Sequence, residues 1–120
     1  MTEPRKTVLY GEHEKAGGRF VDFGGWLMPV QYTGTLVEHH AVRTEAGLFD
    51  VSHMGEVLVR GPEAIEATNR IVTNDLSRLE DGRAMYTAMC TPEGGIVDDL
   101  IVYRVRADEL FLCVNAGNRE

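Results

Sequence analysis

Three segments in the second half of the chain are rich in apolar, β-branched and aromatic side chains. The segments are residues 85–91, 96–105 and 109–115. Short apolar runs bounded by turn residues are typical of β-strands. The short connections between them, Pro-Glu-Gly-Gly at 92–95 and Arg-Ala-Asp at 106–108, contain residues that favour turns. The pattern therefore predicts an antiparallel meander of three strands.

Helical spacing of apolar residues predicts three helices. The first covers residues 7–16 and is closed by two glycines at 17–18, glycine being the usual left-handed residue at helix ends. The second covers residues 35–46, beginning at a Thr-Leu-Val-Glu capping box and stopping at a glycine. The third covers residues 62–72 and has a proline in its first turn. We expect this third helix to cover one face of the meander.

The remaining segments complete the predicted fold. Residues 19–23 alternate as a short strand, and residues 48–60 are extended, with Gly55 as a bulge or a point of close backbone approach. Residues 73–83 are polar and irregular. The order of these elements predicts an α+β fold, in which an antiparallel meander is backed by helices.

The central predicted strand contains two adjacent aspartates, Asp98 and Asp99, in an otherwise apolar run. Aspartate is depleted in strands, and a carboxylate held away from water is costly unless something pairs with it. Two of them in one strand therefore indicate a carboxylate that faces a ligand. Because successive residues point to opposite faces, only one of the two can point into a given pocket. Both have apolar neighbours, so the pattern does not choose between them.

Composition and charge narrow the classes of function. The 120 residues carry a formal net charge of −7, and Lys and Arg never cluster beyond two neighbours, which argues against nucleic acid or an anionic membrane as a partner. No apolar run approaches the roughly 20 residues of a membrane span, and the polar N-terminus has no secretory signal. We therefore expect a cytoplasmic protein whose two cysteines, Cys90 and Cys113, are reduced.

A metal-dependent enzyme is a weak hypothesis for this chain. A site built from His39, His53 and Asp50 has the right residue types, but no His-Glu-x-x-His or Cys-x-x-Cys spacing supports it. His39 and its neighbour His40 diverge by about 100° on a helix, so the pair cannot bind one ion together. Nucleophilic catalysis has little support, because there is no Gly-x-Ser-x-Gly motif and neither cysteine lies beside a base. We expect no metal.

Five motifs occur in a recognisable order and spacing. They are FVDFGGWLMPVQY at 20–32, GLFDVSHMGEV at 47–57, TNDL at 73–76, GGIVDDLIVYR at 94–104 and VNAGN at 114–118. Together they resemble the opening motifs of the glycine cleavage system T-protein family, the aminomethyltransferases. The resemblance extends over residues 9–120, and such a series is far more specific than any single motif in the chain.

The resemblance implies a one-carbon transferase. Members of the family transfer the methylene group of the aminomethyl-lipoyl H-protein to tetrahydrofolate, with release of ammonia and formation of 5,10-methylenetetrahydrofolate. The expected partners are therefore the lipoylated H-protein and tetrahydrofolate, and the expected role is glycine catabolism linked to one-carbon metabolism. The alternative is a non-catalytic folate-binding or interaction module of the same fold, including the folate domains of sarcosine-dehydrogenase-type proteins.

The resemblance also implies roles for individual residues. In the family, the second aspartate of the pair contacts the reduced pterin, so Asp99 is the expected catalytic carboxylate. The residues expected to bind folate together with it are Met54, Leu58, Tyr86, Tyr103 and Asn115. A carboxylate that accepts a hydrogen bond from a pterin N–H can support the cationic carbon that develops during transfer. Asp98 is expected to be structural and to receive backbone N–H bonds.

Family members have three domains around a central folate channel, and the resemblance covers only the N-terminal third of them. We therefore expect an N-terminal piece of this fold. In it, residues 1–50 begin the first, folate-binding domain, and residues 51–120 form a sheet-and-helix subdomain. The piece alone is expected to be inactive. Apolar surface exposed by truncation is expected to promote a homo-oligomer.

Overall fold

The computed structural model describes residues 3–119. The chain forms two compact units, one up to His53 and one from Met54 onward, and each unit has its own sheet. Within the described residues, no helix is both long enough and apolar enough to cross a membrane.

The first unit contains a three-stranded sheet and the helices α1 and α2. Its elements are β1 (Arg5–Lys6), α1 (Tyr10–Lys15), β2 (Arg19–Phe23), β3 (Trp26–Gln31) and α2 (Thr35–Thr44). The strand order is β1-β3-β2, with β1 parallel and β2 antiparallel to β3. The strand predicted at residues 19–23 is confirmed with its bounds, whereas β3 was not predicted.

A pair of glycines explains the strand that the pattern missed. Gly24 and Gly25 both have positive φ, 59° and 83°, as in the two-residue turns that join antiparallel strands. The carboxylate of Asp22 accepts a hydrogen bond from the amide of Gly25 at 2.9 Å and so fixes the turn. The glycine pair therefore leads directly from β2 into β3.

Both helices of the first unit are shorter than predicted. Tyr10 opens α1, because residues 7–9 form a turn instead of a helical start. At the other helix, the hydroxyl of Thr44 donates to the carbonyl oxygen of His40 at 2.9 Å. The backbone of Glu45 has then left the helical region, with φ −134° and ψ −104°, and α2 ends at Thr44.

The capping box predicted at the start of α2 is wrong in its geometry. The residue that caps the helix is Gly34, one position earlier than the predicted Thr35. Glu38 Oε1 still reaches back, but it accepts the backbone N–H groups of residues 32–34, at 2.7 to 2.9 Å. The Thr35 hydroxyl donates to Gln31 Oε1 instead of serving the helix.

The second unit contains a four-stranded antiparallel sheet and the helix α3. Its elements are β4 (Gly55–Arg60), α3 (Ala64–Asn69), β5 (Ala84–Cys90), β6 (Ile96–Arg106) and β7 (Glu109–Val114). The strand order is β4-β7-β6-β5, so the predicted meander is confirmed and β4 extends it beyond β7. The predicted α+β fold class is confirmed with it.

One face of this sheet packs against α3 and the segment that follows it. The buried apolar side chains come from the strands, the helix and the connecting segment: Ala64, Leu76, Leu79, Leu100, Val102, Leu110, Leu112 and Val114. Their removal from water is the main driving force for folding of such a unit. The helix predicted at residues 62–72 thus backs the meander as expected, although it spans only Ala64–Asn69.

The helix α3 ends early because the chain after it joins the sheet. The carbonyl oxygen of Ile71 accepts a hydrogen bond from the amide of Cys90 at 2.9 Å, and Val72 forms a β-bridge with Met89. Residues 71 and 72 therefore pair with β5, and their apolar side chains follow the sheet instead of a helical face.

The segment 73–83 is irregular, as predicted, but it also supplies part of the core. A 3-10 turn at Leu76–Arg78 leaves Leu76 with no exposed surface, and Leu79 is buried as well. The carboxylate of Asp75 caps this turn. The polar composition of the segment concealed two leucines that the core requires.

The extended segment predicted at residues 48–60 is a strand only along β4. Before β4, Asp50 bends the chain, since its carboxylate accepts from the amide two residues further on. Gly55 is a point of close approach and not a bulge, because its pairing with β7 has no register shift. A Cβ atom at Gly55 would lie 2.6 Å from Val114 Cγ2 and 2.7 Å from Arg119 Cβ, which close packing does not allow.

Candidate functional site

Strand β6 directs its two aspartates to opposite faces of the sheet. Asp98 lies on the packed face with Leu100 and Val102, and only 6% of its surface is exposed. Asp99 lies on the other face, which we call the open face, and is exposed together with Tyr103. Packing therefore makes the distinction that alternation alone could not make, because the core covers one carboxylate and leaves the other accessible.

Asp98 is surrounded by hydrogen-bond donors. Its Oδ1 accepts from Asn115 Nδ2 at 2.8 Å and from the backbone N–H of Asp99 at 3.0 Å, and its Oδ2 accepts from the backbone N–H of Asn115 at 3.0 Å. Burial raises the pKa of this carboxyl, but the hydrogen bonds, chiefly those from Asn115, outweigh burial and hold the pKa below its ordinary value. Asp98 is therefore a buried carboxylate that is ionised at neutral pH.

Asp99 holds its carboxylate on the open face between two side-chain donors. The Tyr86 hydroxyl donates to Oδ2, and Asn115 Nδ2 donates to Oδ1 at 2.9 Å. The hydrogen bond to Asp99 is the main reason that the pKa of Tyr86 is raised, so the phenol remains protonated. A carboxylate has about four acceptor positions, so Asp99 keeps positions for a ligand.

Apolar and aromatic side chains continue the open face beyond Asp99. Leu58 of β4 pairs with Phe111 of β7, and Phe111 pairs with Tyr103 of β6, so the three lie side by side across the sheet. The rings of Tyr103 and Phe111 meet edge to face, with centroids 5.8 Å apart. Met54 comes directly before β4 and is partly buried.

All six residues predicted for folate binding belong to the second unit. Hydrogen bonds link Tyr86, Asp99 and Asn115. The strands of the open face also carry Leu58 and Tyr103, and Met54 directly precedes β4. Phe111 was not predicted, although its position between the buried Leu110 and Leu112 marks it as a residue of the open face. The roles of these residues in binding and catalysis stay predictions.

Asp50, one of the residues considered as a metal ligand, is paired with a histidine. Its Oδ2 lies 2.8 Å from His13 Nε2, and the Tyr32 hydroxyl lies 2.7 Å from His13 Nδ1. Burial raises the pKa of Asp50, but hydrogen bonds from Ser52 and His13 outweigh it, so the pKa is well below its usual range. Among residues 3–119, no three His, Cys, Asp or Glu side chains are grouped to hold a metal ion.

The fold and the open face define a class of protein, an α+β domain whose sheet displays a hydrogen-bonded carboxylate among aromatic and apolar side chains. A sequence model of the GCVT N-terminal domain matches residues 9–120. The chain belongs to this family.

Individual relatives support the same assignment. The chain is 61% identical to an aminomethyltransferase of Chlorobium luteolum, over 97% of this chain and 32% of the relative. It is 56% identical to an aminomethyltransferase of Desulforamulus reducens, over 100% of this chain and 33% of the relative. The crystal structure of glycine cleavage system aminomethyltransferase T from Bartonella henselae matches with a TM-score of 0.88 and 42% identity, covering 95% of this chain and 32% of that one. The chain thus spans about a third of the length of the curated relatives it matches.

Proposed function

We propose that the gene product containing this chain is a tetrahydrofolate-dependent aminomethyltransferase of the glycine cleavage system. It acts in the cytoplasm, transfers the methylene group of the aminomethyl-lipoyl H-protein to tetrahydrofolate, and releases ammonia. Family membership and relatives named aminomethyltransferase at 52% to 61% identity support the proposal. The observation that carries it is the Asp99 carboxylate, held on the open face between Tyr86 and Asn115.

The environment of Asp99 suits one-carbon transfer to a reduced pterin. A carboxylate there accepts a hydrogen bond from a pterin N–H and stabilises the positive charge that develops on the transferred carbon. Tyr86 contacts this carboxylate, and Leu58 and Tyr103 lie further along the open face. Apolar and aromatic walls that reduce the access of water strengthen the electrostatic interaction. Asp99 accordingly serves as the catalytic carboxylate, and its neighbours hold the pterin.

The proposal assigns only part of the activity to these 120 residues. The chain matches 32% of the Chlorobium luteolum relative, and transfer between two bound substrates needs several groups positioned at once. We therefore propose that the chain alone is inactive. Residues 1–50 begin the folate-binding domain, and residues 51–120 form its sheet-and-helix subdomain.

Calorimetric titration of the full gene product tests the folate site. Tetrahydrofolate should bind saturably, and oxidised folic acid, which lacks the N–H groups of the reduced ring, should bind roughly tenfold more weakly because a charge-assisted hydrogen bond to Asp99 is lost. Asp108→Asn neutralises an exposed carboxylate in the turn between β6 and β7 and should bind as the wild type does. Equal affinity for the two ligands would contradict the role of Asp99, and absence of saturable binding would contradict the proposed function.

We also propose that the 120-residue chain forms a homo-oligomer. Several large apolar side chains of the first unit are mostly exposed, among them Leu36 at 84%, Leu48 at 101% and Phe49 at 69%. Exposed apolar surface favours association. Light scattering on the purified chain should give at least the mass of a dimer at high concentration. A monomer at every concentration would show that this surface does not cause self-association.

A further inference from the structure

We propose that Asp98 is the positioning residue of the open face, because its buried carboxylate fixes the orientation of the Asn115 amide. The oriented amide in turn holds the Asp99 carboxylate and offers a second acceptor, its own oxygen, to the ligand. This inference deepens the proposed function and rests on it. It gives Asp98 a part in recognition that a merely structural carboxylate would not have.

Three acceptors converge on the amide nitrogen of Asn115. Asn115 Nδ2 lies 2.8 Å from Asp98 Oδ1, 2.8 Å from the backbone oxygen of Asp99 and 2.9 Å from Asp99 Oδ1. An amide nitrogen carries two hydrogens, so one of them is shared between two acceptors. Each of the three acceptor oxygens therefore receives an N–H group, and the amide must direct its nitrogen toward them.

The reverse orientation of the Asn115 amide is strongly disfavoured. It would place the amide oxygen, which has no hydrogen to donate, against the carboxylates of Asp98 and Asp99 and leave a buried lone pair of Asp98 without its donor. Asn115 Oδ1 must therefore point away from the two carboxylates. The site then combines a carboxylate with a neutral acceptor, which suits a ligand with two N–H donors close together, such as the reduced-ring and anilino N–H groups of tetrahydrofolate.

Asp98 can impose this orientation because the backbone of two strands holds it in place. The amide of Asp99, in β6, donates to its Oδ1, and the amide of Asn115, just after β7, donates to its Oδ2, both at 3.0 Å. Leu100 and Val102 cover the same face of the sheet. The carboxylate of Asp98 therefore cannot rotate when a ligand binds. Because Asn115 donates to this carboxylate, the amide of Asn115 has a fixed orientation at the open face.

Asp98→Asn in the full gene product tests this role. The new amide has one oxygen in place of two, so at least one of the donors that now meet an oxygen would meet an N–H group, and the geometry that fixes Asn115 would be disturbed. Turnover per folded molecule should fall roughly tenfold to a hundredfold, the scale of effect that misplaced reacting groups have. KM for tetrahydrofolate should rise, because the neutral acceptor is no longer aimed at the ligand.

Glu109→Gln is the matched control for this substitution. Glu109 is the other buried carboxylate of the described part of the sheet, with 6% of its surface exposed, and it pairs with Arg60 and Arg106 at the opposite end of β7. Its neutralisation perturbs the stability of the same unit without touching Asn115. Turnover per folded molecule should stay within about threefold of the wild type, as for a substitution away from the site.

Nuclear magnetic resonance of the asparagine side chains tests whether the Asn115 amide is held in place, and the measurement does not depend on enzymatic activity. In wild-type protein labelled with ¹⁵N-asparagine, the Nδ2 protons of Asn115 should exchange with solvent roughly tenfold or more slowly than those of free asparagine, because hydrogen bonds protect them. Asp98→Asn should remove this protection and Glu109→Gln should retain it. The wild-type measurement needs no variant and can overturn the inference on its own, so the inference stays falsifiable even where Asp98→Asn does not fold.

The two readouts separate the inference from the function on which it rests. Absence of transferase activity in the wild-type protein would contradict the proposed function. Even then, protection of the Asn115 amide protons that is lost only in Asp98→Asn would support positioning by Asp98. Wild-type exchange at the rate of free asparagine would overturn the inference. Folded Asp98→Asn with unchanged turnover or unchanged protection would overturn it as well.

Discussion

Asp99→Asn in the full gene product should lower kcat for aminomethyl transfer to tetrahydrofolate by roughly two to three orders of magnitude. This is the loss typical of one positioned acid–base or electrostatic group. The substitution keeps the size of the side chain and one acceptor oxygen, but it removes the charge that stabilises the cationic carbon. Affinity for tetrahydrofolate should change less than kcat, since the walls from Leu58, Tyr86 and Tyr103 remain. Single-turnover rates and calorimetric binding would measure the two effects separately.

Asp108→Asn serves as the control, because it removes one negative charge at an exposed position in the turn between β6 and β7. Its kcat should equal that of the wild type. If Asp99→Asn kept wild-type turnover while Asp98→Asn abolished it in folded protein, the carboxylate on the packed face would be the reacting group, and the assignment of roles to the two faces would be wrong.

Leu76→Ala should destabilise the second unit by about 2–5 kcal/mol, the range for truncating a fully buried leucine. Leu76 has no exposed surface and lies in the core with Leu79 and Leu100. The 3-10 turn that carries it is held by the Asp75 cap and by the hydrogen bond from the Leu76 amide to Asn69 Oδ1, so the surroundings cannot collapse freely into the cavity. Urea unfolding followed by circular dichroism would measure the change in the free energy of unfolding.

Leu58→Ala provides a control of the same residue type in the same sheet. Leu58 is half exposed on the open face, so its truncation should cost roughly 1 kcal/mol or less, within the range of strand preferences. Equal losses for the two variants would mean that the segment around Leu76 is not part of the cooperative core.

Much of the fold of the second unit could be predicted from the sequence. Its strands are short apolar runs with turn residues between them, and pairing between consecutive strands is the commonest arrangement. Features that depend on distant partners escaped prediction. Residues 71 and 72 left the predicted helix because β5 offered hydrogen bonds, and Leu76 was hidden in a polar segment because periodicity cannot detect a single core residue in an irregular turn.

The candidate site was less accessible to reasoning from the residues alone. Alternation showed that Asp98 and Asp99 face opposite ways, but not which face would be covered, and only the family resemblance favoured Asp99. The partners of the two carboxylates, Tyr86 and Asn115, lie 13 and 16 or 17 positions away and meet them only through the register of the sheet. Because these partners are distant in sequence, no local pattern predicts that Asp98 positions Asn115.

The pairing of β4 with β7 also sets the order in which the second unit can fold. Gly55 pairs with Val114 and Arg60 pairs with Glu109, so this edge of the sheet joins segments that are far apart in the chain. The hairpins β5-β6 and β6-β7 close short loops, whereas β4 must wait until β7 has been synthesised, and closing the longer loop costs more entropy. During translation β4 therefore lacks its pairing partner for longer than any other strand of its sheet. The ion pair between Arg60 and the buried Glu109 forms only when β4 pairs with β7.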